Sequence, residues 1–340
     1  MLIPDFQAWQ HSRRNSSFIF STFLHGRLFW CKLAGRKLSS LMSLISIWIQ
    51  AARPRTLPLA LAATGMGNLL VFKTSNFQIS ICLLSILTTL FLQILSNFAN
   101  DYGDSIHGAD NDHRKGPSRA VQSGKVSRSG MKSAIYLFIA LSLVSGIGLL
   151  FFSFQTNWAA FFPVLFVGLL AIAAAYFYTN GSKPYGYMAL GDVSVFLFFG
   201  LVAVLATQYL HTLEVPVLFI LPACSLGFWS TAVLNVNNMR DMDSDRNAGK
   251  LTIPLQLGIQ NAKKYQTILV AGGILSLATF GIFTESVYVI GALPGVLLML
   301  KALSGVWKTS IQAELDAYLK PQAVGTFLAV LGMAILKAIL

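Results

Sequence analysis

Hydrophobic positions along this chain come in long blocks rather than in alternation. Nine apolar runs stand out, over residues 57–72, 79–99, 133–153, 158–178, 190–209, 215–236, 266–284, 286–303 and 322–339. Most approach the roughly 20 apolar residues that a helix needs to cross a bilayer. Lipid offers no hydrogen bonds to a bare backbone, so blocks of this length predict helices. The expected fold class is an all-α polytopic membrane protein of about nine transmembrane helices, embedded in a lipid bilayer. The first run is short, with Pro54 and Pro58 at its start, and the seventh and eighth are parted only around Glu285.

The polar segments between the runs are unequal. Arg13, Arg14, Arg27, Lys32, Arg36, Lys37, Arg53 and Arg55 precede the first run. Arg114, Lys115, Arg119, Lys125, Arg128 and Lys132 follow the second, Lys183 the fourth, Arg240, Arg246, Lys250, Lys263 and Lys264 the sixth, and Lys301, Lys308 and Lys320 the eighth. The alternate loops hold little beyond Lys73. Basic loops stay cytoplasmic, which predicts a cytoplasmic N-terminus and an external C-terminus in the inner (plasma) membrane of the cell.

Composition fits this picture. The chain is 55% hydrophobic and 11% charged, against about 25% charged in soluble domains. Its net charge of +12 is accounted for by loop anchoring, so no nucleic-acid partner is expected. Cys31, Cys82 and Cys224 lie far apart with no Cys/His metal spacing, which argues against a disulfide framework or a zinc site. The five histidines are scattered; His107 and His113 lie near acids but are expected to be solvated loop residues. Residues 1–41 form a basic extension that interrupts its one apolar stretch with His25 and Arg27. A membrane-surface segment, a targeting extension and an upstream start before Met42 all fit; a dispensable extension ahead of a single 42–340 transmembrane domain is favoured.

The acids carry the chemistry. Seven of thirteen fall in two clusters, Asp101, Asp104, Asp110 and Asp112 after the second run, and Asp241, Asp243 and Asp245 after the sixth. On a helix, Asn97, Asp101 and Asp104 share one face, as do Asn237, Asp241 and Asp245. Both clusters follow runs that cross in the same direction, so they reach the same membrane side. A weak internal repeat, acids then Gly with a basic residue then Gln-x-Gly, suggests two half-sites facing a central cavity. Two acid patches suit Mg²⁺ bound through one or two carboxylates plus phosphate oxygens, with Arg119, Arg240 and Lys250 as neighbouring cations. A solvated charged loop would explain one cluster more readily than two. A P-loop at Gly249-Lys250 fails because position 244 is Ser.

The motifs Asn100-Asp101-Tyr102-x-Asp104 and Asp241-x-x-x-Asp245 resemble the two signatures of the UbiA superfamily of intramembrane aromatic prenyltransferases. Asp104 falls one residue early, which leaves its direct metal ligation open. Within the superfamily the chain most resembles the 1,4-dihydroxy-2-naphthoate polyprenyltransferases of menaquinone synthesis. The matching stretches are Ala52 to Pro58, Gly116 to Gly124, Tyr178 to Pro184 and Asn237 to Thr252, and the likeness runs from about residue 47 to the end. It implies a UbiA-like bundle around a cavity, Mg²⁺ (or Mn²⁺) held by Asp101, Asp104, Asp241 and Asp245, and partners in a polyprenyl diphosphate and an aromatic acid. Diphosphate departure would leave an allylic cation for ring attack, with decarboxylation yielding demethylmenaquinol. Asn97, Asn237, Tyr178, Arg119, Arg240 and Lys250 are then expected substrate contacts. Asp192 is either functional or solvated at the membrane edge; Lys183 meets substrate or only sets topology; Arg53 meets the acceptor's carboxylate or a lipid headgroup. Other acceptors, 4-hydroxybenzoate or homogentisate, remain alternatives. So does a transporter of divalent cations or phosphorylated solutes, although that would place its acids at mid-membrane.

Overall fold

Each apolar run is a helix in the computed structural model of the protein, which describes residues 42, 44–108 and 119–340. The spans are α1 (Leu57–Val71), α2 (Ile79–His107), α3 (Arg128–Phe154), α4 (Trp158–Phe177), α5 (Gly191–Thr212), α6 (Val217–Arg240), α7 (Ile259–Phe283), α8 (Val287–Lys308) and α9 (Gln312–Ile339). Eight are long and apolar enough to cross a membrane, and α1 is a shorter apolar helix. The chain is a multi-pass membrane protein. Residues 51–340 cluster as one unit; the described stretch 44–50 before it is helical. Residues 1–41, Asp110, Asp112, His113 and the 116–118 part of the basic loop lie outside the described residues.

The helices overrun the apolar blocks on one side of the bundle. α2 continues eight residues past its apolar run, to His107, and stops where Gly108 turns left-handed (φ 75°) and donates its N–H to the Asp104 carbonyl. That extension makes the first acid cluster helical. His107, expected in a solvated loop, instead places its ring nitrogens against the carbonyls of Gly103 and Gly181. α7 begins at Ile259 and α9 at Gln312, so Lys263, Lys264, Lys301, Lys308 and Lys320, expected in loops, sit on helices.

At 15 residues, α1 spans about 22 Å, short of a hydrocarbon core about 30 Å thick. Its neighbours cover the shortfall. α1 packs against α2, α5 and α9, and Lys337 near the end of α9 donates to the carbonyls of Leu69 and Leu70 (2.9 and 3.3 Å). Those are last-turn carbonyls with no partner within the helix.

Packing in lipid depends on close approach, because lipid tails compete for apolar contact. α5 crosses α6 at Gly200, where an added Cβ would lie 2.7 Å from the Ala223 carbonyl and from Gly227 Cα. The same helix carries a π-helical stretch, Phe196–Ala206. Met66, Leu69, Trp229, Phe280, Met299 and Met333 form the main core at these crossings. α4 packs on α2 and α3 but only marginally on its successor α5.

Candidate functional site

A cavity of about 390 Å³ runs inside the bundle from the acid-bearing helix ends. Its polar mouth is lined by Arg53, Arg55, Asn97, Asn100, Asp104, Arg119, Asn237 and Lys250. Its deeper wall is lined by Leu149, Leu150, Val164, Leu165 and Leu210. On α2 the lining extends from Asp104 back to Ser85, roughly 28 Å at 1.5 Å per residue. Leu169 of α4 lines the cavity and is also exposed.

Three loops bring the two acid clusters together. Asp101 is 1% exposed, and its carboxylate accepts the backbone N–H groups of Ala120 and Val121 (3.0 and 3.3 Å). The basic loop is thereby tied to α2. The 178–190 loop lies on α2 because Gly103 has no side chain; a Cβ there would collide with the Thr179 carbonyl. Tyr187 in that loop donates its hydroxyl to Asp104 (2.9 Å). Backbone bonds from Leu251 N–H to Tyr187 O and from Ala189 N–H to Leu251 O, each 3.0 Å, join it to the loop after the second cluster.

Lys250 stands at the junction. Its ammonium lies 3.5 Å from Asp245 and 5.4 Å from the centre of the Tyr187 ring, within the field of Asp104, Tyr178 and Asp241. Burial alone would lower its pKa, but Asp245 and Asp104 outweigh that and push it above the usual lysine range. Burial pushes the Asp245 carboxyl up to about 6; Lys250 opposes the rise, while Asp241 and Asp104 add to it. Burial likewise raises the Tyr178 phenol.

The second cluster is also tied from beneath. Asn237, Asp241 and Asp245 keep helical spacing through backbone bonds from Asp241 N–H to Asn237 O and from Asp245 N–H to Asp241 O. Arg240 is fully buried and forks onto Asp241 (2.8 and 2.5 Å) and reaches Asn237 Oδ1 (2.9 Å). Its remaining nitrogen pairs with Asp316.

Several expected positions need correction. Arg240 does not line the cavity, because its guanidinium is used beneath the cluster. Lys183 is exposed and outside the lining. Asp192 is neither solvated nor on the lining: it is buried close to Tyr265, and one of its carboxylate oxygens has no hydrogen-bond partner among the described residues. Arg53 faces the cavity from a left-handed backbone position (φ 52°), while Asn97 holds that turn by donating to the Ala52 carbonyl (2.8 Å). Tyr187, Tyr265, Arg55 and Asp316 are additions. Asp316, with Glu314 two residues before it, marks the start of the last span; no local pattern marks the two tyrosines.

These residues fit a hard divalent cation. Asp245 keeps one buried carboxylate oxygen without a hydrogen-bond partner among the described residues. Among the described residues, no group of three or more His, Cys, Asp or Glu forms a full cage there. Paired carboxylates completed by ligand oxygens are the pattern that Mg²⁺ adopts.

Comparison with known proteins places the chain in a family. The UbiA prenyltransferase family model matches residues 58–334. The chain is 44% identical to the 1,4-dihydroxy-2-naphthoate octaprenyltransferase of Escherichia coli, over 70% of this chain and 77% of that one. It is 39% identical to the Mycobacterium leprae enzyme of the same name, over 69% and 78%. A UbiA homologue from Archaeoglobus fulgidus, solved with GPP and Mg²⁺, superposes with a TM-score of 0.61 at 17% identity, covering 86% of this chain and 99% of that one. These relatives set the transporter alternative aside: the chain belongs to the UbiA prenyltransferase family and is a prenyltransferase.

Proposed function

We propose that the protein transfers a polyprenyl group from its diphosphate to 1,4-dihydroxy-2-naphthoate, with loss of the carboxylate as CO₂, giving demethylmenaquinol. One observation supports this most: Asp104 and Lys250 line the polar mouth of a cavity whose depth is apolar, and Lys250 ties that mouth to Asp245 of the second acid cluster. A diphosphate headgroup and a long hydrocarbon tail need those two environments in that order. The acceptor assignment draws on the naphthoate enzymes that the chain resembles.

Asp101, Asp104, Asp241 and Asp245 would hold Mg²⁺, with Mn²⁺ as a substitute. Bound there, the cation supplies positive charge to the leaving diphosphate. Lys250 and Arg119 add fixed positive charge at the mouth, where charge develops as the allylic C–O bond breaks. Asn97 and Asn237 hold the helix faces in register, and Tyr178 closes the mouth against water. Arg53 and Arg55 face the cavity as partners for the acceptor's carboxylate, positioning the ring over the allylic carbon. As the new C–C bond forms, CO₂ leaves and its bonding pair returns to the ring. Asp192, buried close to Tyr265 and off the lining, acts by positioning rather than by contact with substrate.

The mouth is assigned to the cytoplasmic side of the inner membrane, in keeping with the Lys/Arg asymmetry. The tail enters sideways from lipid between α4 and α5, which make few contacts with each other. The test is turnover by purified protein with one prenyl diphosphate, Mg²⁺ and a panel of acceptors. The naphthoate should be prenylated with stoichiometric CO₂ release. Faster turnover of 4-hydroxybenzoate or homogentisate would overturn the acceptor assignment.

A further inference from the structure

Arg240 has two carboxylate partners, and only one belongs to the acid cluster. Asp241 takes its Nε and one terminal nitrogen, and Asp316, at the start of α9, takes the other. The same Asp316 oxygen accepts Arg55 at 3.2 Å. The result is a chain of alternating charge, Asp241–Arg240–Asp316–Arg55, running from beneath the second cluster to the cavity wall.

A guanidinium cannot shed its proton in a protein, and one that is fully buried needs negative charge beside it throughout the reaction. In the function proposed above, on which this inference rests, Asp241 must share its charge with a divalent cation. A carboxylate shared in this way holds Arg240 less strongly. Asp316 lies on another helix and supplies the second negative charge. With Asp316 neutral, Asp241 would be the one carboxylate left to Arg240 among the described residues, and guanidinium and metal would compete for it. We propose that Asp316 is a positioning residue that holds Arg240 so that Asp241 is available to the divalent cation. Its carboxylate is 36% exposed, so solvent screens the pair and the effect is graded rather than absolute.

The test is binding, not turnover. The full chain in detergent is titrated with Mg²⁺ in the presence of an unreactive prenyl thiodiphosphate, and binding is followed by calorimetry. Asp316→Asn should raise the Mg²⁺ concentration for half-maximal binding roughly tenfold, within the range of direct charge couplings. Binding should recover at saturating Mg²⁺, and Asp316→Glu should regain most of the loss. The double variant Arg240→Gln with Asp316→Asn removes the competing cation together with its counter-ion, which folds tolerate better than losing one partner. Its midpoint should return to within about twofold of the unaltered chain. Lys264→Ala, which removes an exposed positive charge on α7, should leave the midpoint in place. An unchanged midpoint in Asp316→Asn, a persisting shift in the double variant, or an equal shift in Lys264→Ala each overturns the proposal. If Asp316→Asn fails to fold, the double variant and Asp316→Glu decide it. Mg²⁺-independent binding by the unaltered chain would overturn the metal–diphosphate reading itself, and this proposal with it.

Discussion

The two acid clusters read alike in sequence and are built differently. At the end of α2, Asp101 is held by two neutral donors, the N–H groups of Ala120 and Val121. At the end of α6, Asp241 is held by a buried guanidinium that also reaches α9. The first cluster is thus anchored by its own loop and the second by a charge network spanning the bundle. A carboxylate on backbone donors keeps its full charge for a ligand. A carboxylate on an arginine is partly neutralised already, so its ligand affinity depends on what else the arginine touches.

The largest expected effect erases both halves of this comparison. Asp101→Ala and Asp241→Ala should each lower turnover at least about 10²–10³-fold, the usual scale for one electrostatic group aimed at developing charge. Product formation followed by chromatography checks this, and near-normal turnover in either variant would remove that half-site from the chemistry.

A pH series sharpens the comparison. Asp245, with its pKa raised to about 6, is protonated below that pH and then offers less charge to a cation. Lys250, shifted upward, stays charged across the same range. Mg²⁺ affinity should therefore fall as pH drops through about 6 and level off above it. Isothermal titration at several pH values reads this, and Asp245→Asn should flatten the profile. An unflattened profile would assign the proton elsewhere.

The smallest effect is expected outside both clusters. Lys183→Ala should change kcat and KM by no more than roughly twofold, since changes at exposed sites without partners are generally mild. A large rise in KM for either substrate would mean that the 178–190 loop moves Lys183 inward on binding.

Sequence reading reached the helices because lipid requires long apolar runs, and it reached the acids because charge at a membrane edge is rare. It set helix ends too early wherever a helix outlasts its apolar block, as α2 does from Asn100 to His107. It could not reach Tyr187 on Asp104 or Asp316 on Arg240. Those pairs are separated by 83 and 76 residues, and no local periodicity encodes a contact between elements that far apart in the chain. Arg240 was read as a substrate cation because its position beside Asp241 looks the same whether the side chain points up into a cavity or down into the bundle. Burial, which separates the two, is a property of the packed helices.

Entry of the tail between α4 and α5, as proposed above, would have a consequence for how rates should be expressed. A tail that slips in sideways never leaves the hydrocarbon phase, so the enzyme meets its donor by diffusion in two dimensions. The quantity that saturates the site is then the mole fraction of prenyl diphosphate among lipids, not its amount per volume of water. Diluting the membrane with inert lipid would slow the reaction at constant bulk concentration, while the water-soluble acceptor would obey ordinary volume concentration. One active site would thus respond to two kinds of concentration, one for each substrate.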